Sequence, residues 1–116
     1  MTRLSEEHQL MRIFIGEGDR YNHMPLYEAL LDMLRSEGIA GATVLRGICG
    51  FGVNRLYHSQ KLLDLSADLP LIVEVVDTAE KIDAVMPMID DMIGDCMITL
   101  ETVTVTRHFR ENSSQH

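Results

Sequence analysis

Residues 70–80 have the sequence PLIVEVVDTAE, in which a run rich in β-branched residues leads directly into a helix start. Valine and isoleucine favour a strand, and Pro70 is tolerated because it stands at the first position of that strand. Asp77 and Glu80 have the spacing of a helix capping pair, with Asp in place of the usual Ser or Thr. The segment therefore predicts a strand over residues 70–76 that is followed at once by a helix.

Downstream of this segment the sequence predicts the second helix and the last strand. Pro87 lies inside the helix, which Gly94 closes, so a kink or an early break is expected near Val85. Residues 97–107 are rich in Thr, Val and Ile and predict a strand, whose alternation changes phase and predicts a bulge or break near residues 101–102. The apolar stripe of the helix comprises Ile82, Val85, Met86, Ile89, Met92 and Ile93.

Upstream of residue 70 lie two further strands and a helix. The apolar run LMRIFI at residues 10–15 predicts the first strand. Pro25 suits a first helical turn and opens a helix that runs to Glu37, with Gly38 as its stop. Residues 42–49 alternate between two faces and predict the second strand.

The predicted order is strand, helix, strand, strand, helix, strand. It indicates an α+β domain of the ferredoxin-like βαββαβ type, a sandwich of a four-stranded antiparallel sheet with two helices on one face. We expect one domain over residues 10–110, with residues 1–9 and 111–116 as flexible polar tails. Because the other face of the sheet would carry uncovered apolar side chains, the fold also predicts self-association around a symmetry axis.

The charge balance excludes several classes of partner. The 116 residues include 10 Lys and Arg against 18 Asp and Glu, a formal net charge of −8. Nucleic-acid binders need a basic stripe to displace counterions, so nucleic acid and anionic membrane surfaces are not expected as main partners. With neither a signal-peptide core nor an apolar run long enough for a membrane span, a cytoplasmic location without membrane insertion is expected.

Two cysteines, Cys49 and Cys96, stand far apart and outside any C-x-x-C motif. They could form a lone disulfide or remain as two free buried thiols. A reducing cytoplasm favours the free thiols.

The segment between the second and third strands, Gly50 to Leu69, holds 20 residues where a simple hairpin needs two to five. Loops of that length in a compact domain are usually functional or mobile. Glycines at its start either form a structural turn or let a phosphate or base approach the backbone. Cations near its start either bind an anion together or are ordinary surface side chains. These candidates are Arg46, Gly50, Phe51, Gly52, Arg55 and His58.

Signatures of catalysis are absent from the sequence. It has no G-x-S-x-G elbow, no P-loop and no complete G-x-G-x-x-G after a strand. The five histidines lack metal-ligand spacing, so we expect no metal, no cofactor and no enzymatic activity. Asp90, Asp91 and Asp95 are either a solvated helix end or, in the case of Asp95, a group that meets a ligand hydroxyl or an Arg of a partner.

Six stretches carry a family resemblance. They are LMRIFIGEGDR (10–20), PLYEAL (25–30), GIAGATVLRGICGFG (38–52), the pair His58-Ser59, DLPLIVEVVD (68–77) and ITLETVTV (98–105). In these the chain resembles the DUF190 family, a group of uncharacterised proteins placed in the PII-like superfamily.

The resemblance implies a homotrimer whose sheets line a central axis, with residues 50–69 as the signalling loop. It further implies a small effector, often an adenine nucleotide, in clefts between subunits, and a transporter, channel or enzyme that reads the loop. Residues 50–52 match the glycine-phenylalanine-glycine that opens the PII signalling loop. Gly94, Asp95 and Ile98 resemble the turn after the second helix that helps hold phosphates in PII.

The leading hypothesis is therefore a trimeric PII-like signalling protein that binds a small ligand. The alternatives are a ligand-free protein–protein interaction module and, third, a small enzyme on the same frame. The predicted ligand-binding residues are Arg46, Gly50, Phe51, Gly52, Arg55, His58, Gly94 and Asp95.

Overall fold

The structure, a computed structural model, describes residues 2–52, 55–58 and 68–110. In chain order the elements of this part are β1 (Thr2–Gly16), β2 (Arg20–Tyr21), β3 (Met24–Pro25), α1 (Leu26–Ser36), β4 (Gly41–Arg46), β5 (Cys49–Gly52), β6 (Arg55–His58), β7 (Pro70–Asp77), α2 (Ala79–Met92) and β8 (Met97–Phe109).

The main sheet has four strands in the order β4-β7-β1-β8. Every neighbouring pair is antiparallel, so β1 is parallel to β4 and β7 is parallel to β8. Parallel strands need a crossover connection, and α1 and α2 supply one each. The predicted ferredoxin-like βαββαβ fold class is confirmed.

One face of this sheet packs against both helices. Along β1 the odd-numbered side chains Met11, Ile13 and Ile15 are buried, as are Val73 and Val75 of β7. The helices meet them with apolar residues at helical spacing, which are Leu26, Leu30 and Leu34 of α1 and Ile82, Val85 and Ile89 of α2. The core therefore lies between the helices and a single face of the sheet.

The start of α2 differs from the prediction. Thr78 is the N-cap, and its hydroxyl accepts from the Lys81 amide at 3.2 Å. Asp77 belongs to β7 and is only 4% exposed. Its carboxylate accepts from the Thr78 amide at 2.7 Å and from the Ala40 amide at 2.8 Å. The predicted cap at Asp77 is wrong because strand alternation turns this side chain inward, where it satisfies two backbone donors.

The middle and end of α2 also depart from the prediction. The helix continues past Pro87 to Met92, so an early break near Val85 does not occur, and Ile93 rather than Gly94 is the C-cap. Proline removes one donor, but Pro87 and the residue four positions earlier, Asp83, are both exposed, so the Asp83 carbonyl can bond water. No helix in the described residues is long and apolar enough to cross a membrane.

Strands β1 and β8 pair without interruption from Thr2 opposite Phe109 to Phe14 opposite Met97. The expected bulge near residues 101–102 is therefore wrong. The alternation in the sequence changes phase because the half-buried side chain Ile98 lies on the helix side of β8, whereas Val103 and Val105 lie on its other side. The expected tail at residues 1–9 is also wrong for residues 2–9, because backbone pairing orders polar sequence as readily as apolar sequence. Residues 111–116 lie outside the described residues.

The sheet face away from the helices, which we call the open face, carries an apolar row formed by Leu45, Ile72, Phe14 and Met97. Leu45 and Met97 are exposed, and neither helix packs on this side. Next to the row lies Arg12, whose Nε donates to Glu74 at 2.9 Å and whose Nη1 donates to Glu101 at 2.8 Å. These two hydrogen bonds raise the pKa of Arg12 further above its ordinary value, so it stays charged.

Beyond the four-stranded sheet, Thr2–His8 and Val103–Phe109 continue as a two-stranded ribbon. Its residues alternate, so one face continues the open face and includes Leu4, Val103, Val105 and Phe109. The other face is polar and includes a hydrogen bond between the Ser5 and Thr106 hydroxyls at 3.0 Å. A two-stranded ribbon is at best marginally stable alone in water, so its apolar face is expected to pack against another surface.

The two cysteines are free, which excludes the alternative of a disulfide between them. Cys49 is exposed and Cys96 is half-buried. The expectation of two free thiols is confirmed, whereas burial of Cys49 was wrong because β5 carries it away from the core.

Replacing Asp77 with Ala should lower the free energy of unfolding by about 1–3 kcal/mol, because two part-buried backbone N–H groups lose their acceptor. Urea denaturation at fixed protein concentration measures this. The control Asp83→Ala removes an exposed carboxylate from α2 and should change stability by no more than about 0.5 kcal/mol. Equal effects of the two substitutions would contradict the role of Asp77.

Candidate functional site

A tight turn follows β1 at residues 16–19, where the sequence is Gly-Glu-Gly-Asp. The Asp19 amide donates to the Gly16 carbonyl at 3.1 Å, and the Gly16 amide donates to the Asp19 carboxylate at 3.0 Å. Aspartate suits this position because its carboxylate can bond the backbone of its own turn. The Asp19 carbonyl in turn accepts from the Leu26 amide at 2.8 Å, which fixes the turn against the start of α1.

This 16–19 turn holds the downstream end of the long loop. The Glu17 amide donates to the Leu69 carbonyl at 2.8 Å, and the Gly18 amide donates to Asp68 Oδ1 at 2.8 Å. A Cβ at position 18 would lie 3.3 Å from that oxygen, a closer approach than most side chains make, which explains why glycine suits the position. The point at which the loop returns to β7 is therefore fixed by the turn that follows β1.

The same turn also holds the upstream end. The Arg46 guanidinium forms an ion pair with the Glu17 carboxylate, and the Gly47 amide donates to the Pro70 carbonyl at 2.7 Å. Both ends of the loop thus meet beside the 16–19 turn. We call Glu17, Gly18, Arg46, Gly47 and residues 68–70 the loop neck.

The loop does not begin as the plain loop that the sequence predicted. Strands β5 and β6 pair as a hairpin, with Cys49 opposite His58 and Gly52 opposite Arg55. Backbone pairing therefore brings Gly50, Phe51, Gly52, Arg55 and His58 into one hairpin. The side chains of Arg55 and His58, and residues 53–54 and 59–67 of the predicted loop, lie outside the part of the chain that the structure describes.

Two apolar side chains stand out at this hairpin. Phe51 is 85% exposed, and Ile48, just before β5, is 82% exposed. Gly50, next to Phe51, does not adopt a left-handed backbone, and a Cβ there would make an ordinary contact of 3.7 Å with Pro70. The glycine therefore does not act here through a positive φ, and the outstanding feature of the segment is its exposed apolar surface.

Gly94 and Asp95 lie after α2 and line a cavity of about 180 Å³ together with Asp19, Arg20 and Cys96. Arg20 is positioned by a bond from its Nη2 to the His23 carbonyl at 2.7 Å. Pockets that enclose a whole small ligand usually measure about 300–1,000 Å³. This cavity, which we call the Asp95 cavity, has room for part of such a ligand, so the rest would need walls from elsewhere.

The 16–19 turn joins the two parts of the predicted site. Glu17 of the turn contacts Arg46 at the neck, while Asp19 of the turn lines the cavity with Gly94 and Asp95. Because Arg46 already pairs with Glu17, an anion that binds Arg46 would compete with that carboxylate.

Four residues of this arrangement were missed by the sequence reasoning. They are Glu17, Asp19, Arg20 and Asp68. A Gly-x-Gly-Asp turn directly after a buried strand was a usable signal for the first three. Nothing in the sequence links Asp68 to Gly18, since the two are 50 positions apart.

Comparison with known proteins identifies the family. The model of the DUF190 family, described as an uncharacterised ACR, matches residues 8–105. The chain belongs to the DUF190 family. A UPF0166 protein of Methanocaldococcus jannaschii is 38% identical over 85 residues, which cover 73% of this chain and 78% of that protein. A UPF0166 protein of Aquifex aeolicus is 37% identical over 97 residues, which cover 84% and 91%.

Solved structures similar to this DUF190 chain are PII-like. CPII, a nitrogen regulatory PII-like protein from Thiomonas intermedia bound to ADP, AMP and bicarbonate, aligns with a TM-score of 0.62 and 15% identity. The alignment covers 90% of this chain and 92% of CPII. A PII-like protein from Thermus thermophilus aligns with a TM-score of 0.62 and 13% identity over 87% and 91% of the two chains. The fold is therefore PII-like, as the resemblance implied.

Replacing Gly47 with Ala should open the loop neck, because the new Cβ would lie 2.8 Å from Cγ of Pro70, closer than real Cβ atoms approach. Overpacking of this kind costs about 1–3 kcal/mol, so the urea midpoint should fall. Gly94→Ala is the matched control, since a Cβ there meets nothing within 4 Å. A midpoint for Gly47→Ala equal to that of the control would show that the neck is not closely packed.

Proposed function

We propose that this protein is a PII-like signalling protein that forms a trimer, binds a small effector in clefts between subunits and responds through residues 50–69. The observation that carries the proposal is the 16–19 turn, which belongs both to the Asp95 cavity and to the loop neck. A ligand in the cavity therefore contacts the same short segment that holds both ends of the loop. The protein acts by binding rather than by catalysis.

The effector class that we propose is an adenine nucleotide. Arg46 at the neck and Arg20 at the cavity offer guanidinium groups, which bind phosphate through paired hydrogen bonds. We assign the Asp95 carboxylate, which lines the cavity, the role of accepting from a ligand hydroxyl. CPII, which has the same fold, is bound to ADP and AMP, and this supports the choice of nucleotide.

The ion pair between Glu17 and Arg46 provides a way for the effector to act on the loop. A phosphate that takes Arg46 releases Glu17, whereas the backbone bonds of residues 17, 18 and 47 continue to hold the neck. The effector thus binds more tightly when the Glu17–Arg46 ion pair is broken than when it is intact. Any ligand-driven change requires such a difference in affinity between two states. In the cytoplasm, the altered segment is then read by a transporter, channel or enzyme partner.

A trimer would complete both the site and the fold. The open face and the ribbon present apolar side chains that neither helix covers. Where the ribbon joins the sheet, the buried atoms His8 Nδ1 and Gln9 Oε1 find no hydrogen-bond partner among the residues that the structure describes. Buried polar atoms normally have partners, and a second subunit would supply them. The small volume of the Asp95 cavity is likewise consistent with a ligand shared between two subunits.

A second candidate function is a ligand-free interaction module. The strongly exposed Ile48 and Phe51 favour it, because aromatic side chains often anchor protein interfaces. In that case the hairpin docks on its partner without any effector.

Thermal denaturation with AMP, ADP and ATP tests the proposal. A nucleotide that binds the folded state stabilises it by about 2.7 kcal/mol at one hundred times its Kd, and the melting temperature rises with its concentration. Arg46→Ala should weaken binding, whereas Glu17→Gln should strengthen it by up to about fivefold, because the competing carboxylate is gone.

Arg3→Ala is the control, since it removes an exposed cation from the polar face of the ribbon. It should leave nucleotide binding unchanged. No shift with any nucleotide, together with specific capture of a partner that is lost in Phe51→Ala, would favour the interaction module instead. Equal weakening by Arg46→Ala and Arg3→Ala would refute the choice of the neck as the site.

A further inference from the structure

A groove of about 430 Å³ lies between α1, α2 and the turn that joins β2 to β3. Each helix contributes residues at the same spacing. On α1 these are Ala29, Asp32 and Met33, and on α2 they are Met88, Asp91 and Met92. Positions i, i+3 and i+4 share one face of a helix, so each helix presents one Asp beside two apolar side chains.

The apolar lining of the groove is mainly methionine. Met24 from β3 joins Met33, Met88 and Met92, so four of the eight methionines of the chain line this one surface. Methionine is flexible and polarisable, and it adapts to apolar side chains of irregular shape. Met88 is 37% exposed, which makes it available to a partner.

The charged lining is acidic. Asp32 and Asp91 are both exposed, and no Lys or Arg of the described part of the chain lines the groove. Asp91 also lies in the last turn of α2, which contains no basic residue, so the negative end of the helix dipole adds to its charge. The groove therefore has a negative potential that favours a cationic partner.

The groove is open along its length, so a small molecule would keep much of its surface in water, whereas good small-ligand pockets bury 70–90% of it. A groove between two helices instead suits the apolar face of a third helix. It also lies on the helix layer, opposite the open face, and stays accessible whichever copy covers that face. We propose that this methionine groove binds a basic amphipathic helix of a partner protein, with apolar side chains on the methionines and Lys or Arg at Asp32 and Asp91.

Methionine methyl NMR with a designed helix tests this proposal. The probe is a Leu/Lys peptide with leucines at i, i+3 and i+4 spacing, compared with a scrambled peptide of equal composition and with a Leu/Glu counterpart. We expect the amphipathic Leu/Lys peptide to shift the methyl signals of Met24, Met33, Met88 and Met92. The signals of Met11 in the core and of Met97 on the open face should not move.

Charge is tested with two double variants of equal net charge. Asp32→Asn with Asp91→Asn should weaken binding roughly two- to twentyfold, as expected for two exposed ion pairs. Glu80→Gln with Asp83→Asn removes two carboxylates of α2 that do not line the groove, and it should leave affinity unchanged. An unchanged Met11 signal shows that each variant is folded.

Three results would each overturn the proposal. The first is no shift of the four groove methyls at millimolar peptide. The second is equal binding of the scrambled peptide, which would show attraction to net charge alone. The third is equal weakening by the two double variants.

Discussion

The rest of the structure depends on β1, an inner strand of a sheet that has helices on only one of its faces. It pairs with β7 on one edge and with β8 on the other, and its odd-numbered side chains are buried under two helices. Its even-numbered side chains, among them Phe14 and Leu10, face the side that the helices do not cover. Fully burying one large apolar side chain is worth about 1.5–3 kcal/mol, so a second copy that covers this face would be strongly favoured.

The end of β1 is also where structure and proposed signalling meet. Strand pairing ends at Gly16 opposite Pro70, and the turn that follows bonds to Asp68, Leu69 and Arg46. Since β1 is paired on both edges and both described ends of the loop contact the turn, the proposed function has a change at the turn pass to the loop rather than into the sheet. The proposed effector would act on a long segment through this short turn.

The sequence predicted the fold class and most elements because their periodicity is strong, as in the buried alternation of residues 70–76. It was wrong about residues 2–9, since their polarity hides a strand whose order comes from a distant partner, β8. It was wrong about Asp77 because cap spacing does not reveal whether a side chain turns inward. Among the candidate site residues, pairing of β5 with β6 brought Gly50 to Gly52, Arg55 and His58 together. The contact of Glu17 with Arg46 depends on the loop closing, which local patterns do not encode.

The central claim is that copies of this chain cover the open face and the ribbon, and the molar mass in solution tests it most directly. Light scattering at micromolar concentration should give three times 13.1 kDa, about 39 kDa. Val103→Glu, on the apolar face of the ribbon, should reduce the mass to that of one chain, whereas Thr104→Glu on its polar face should not. A mass of 13.1 kDa for the unaltered protein would contradict the account.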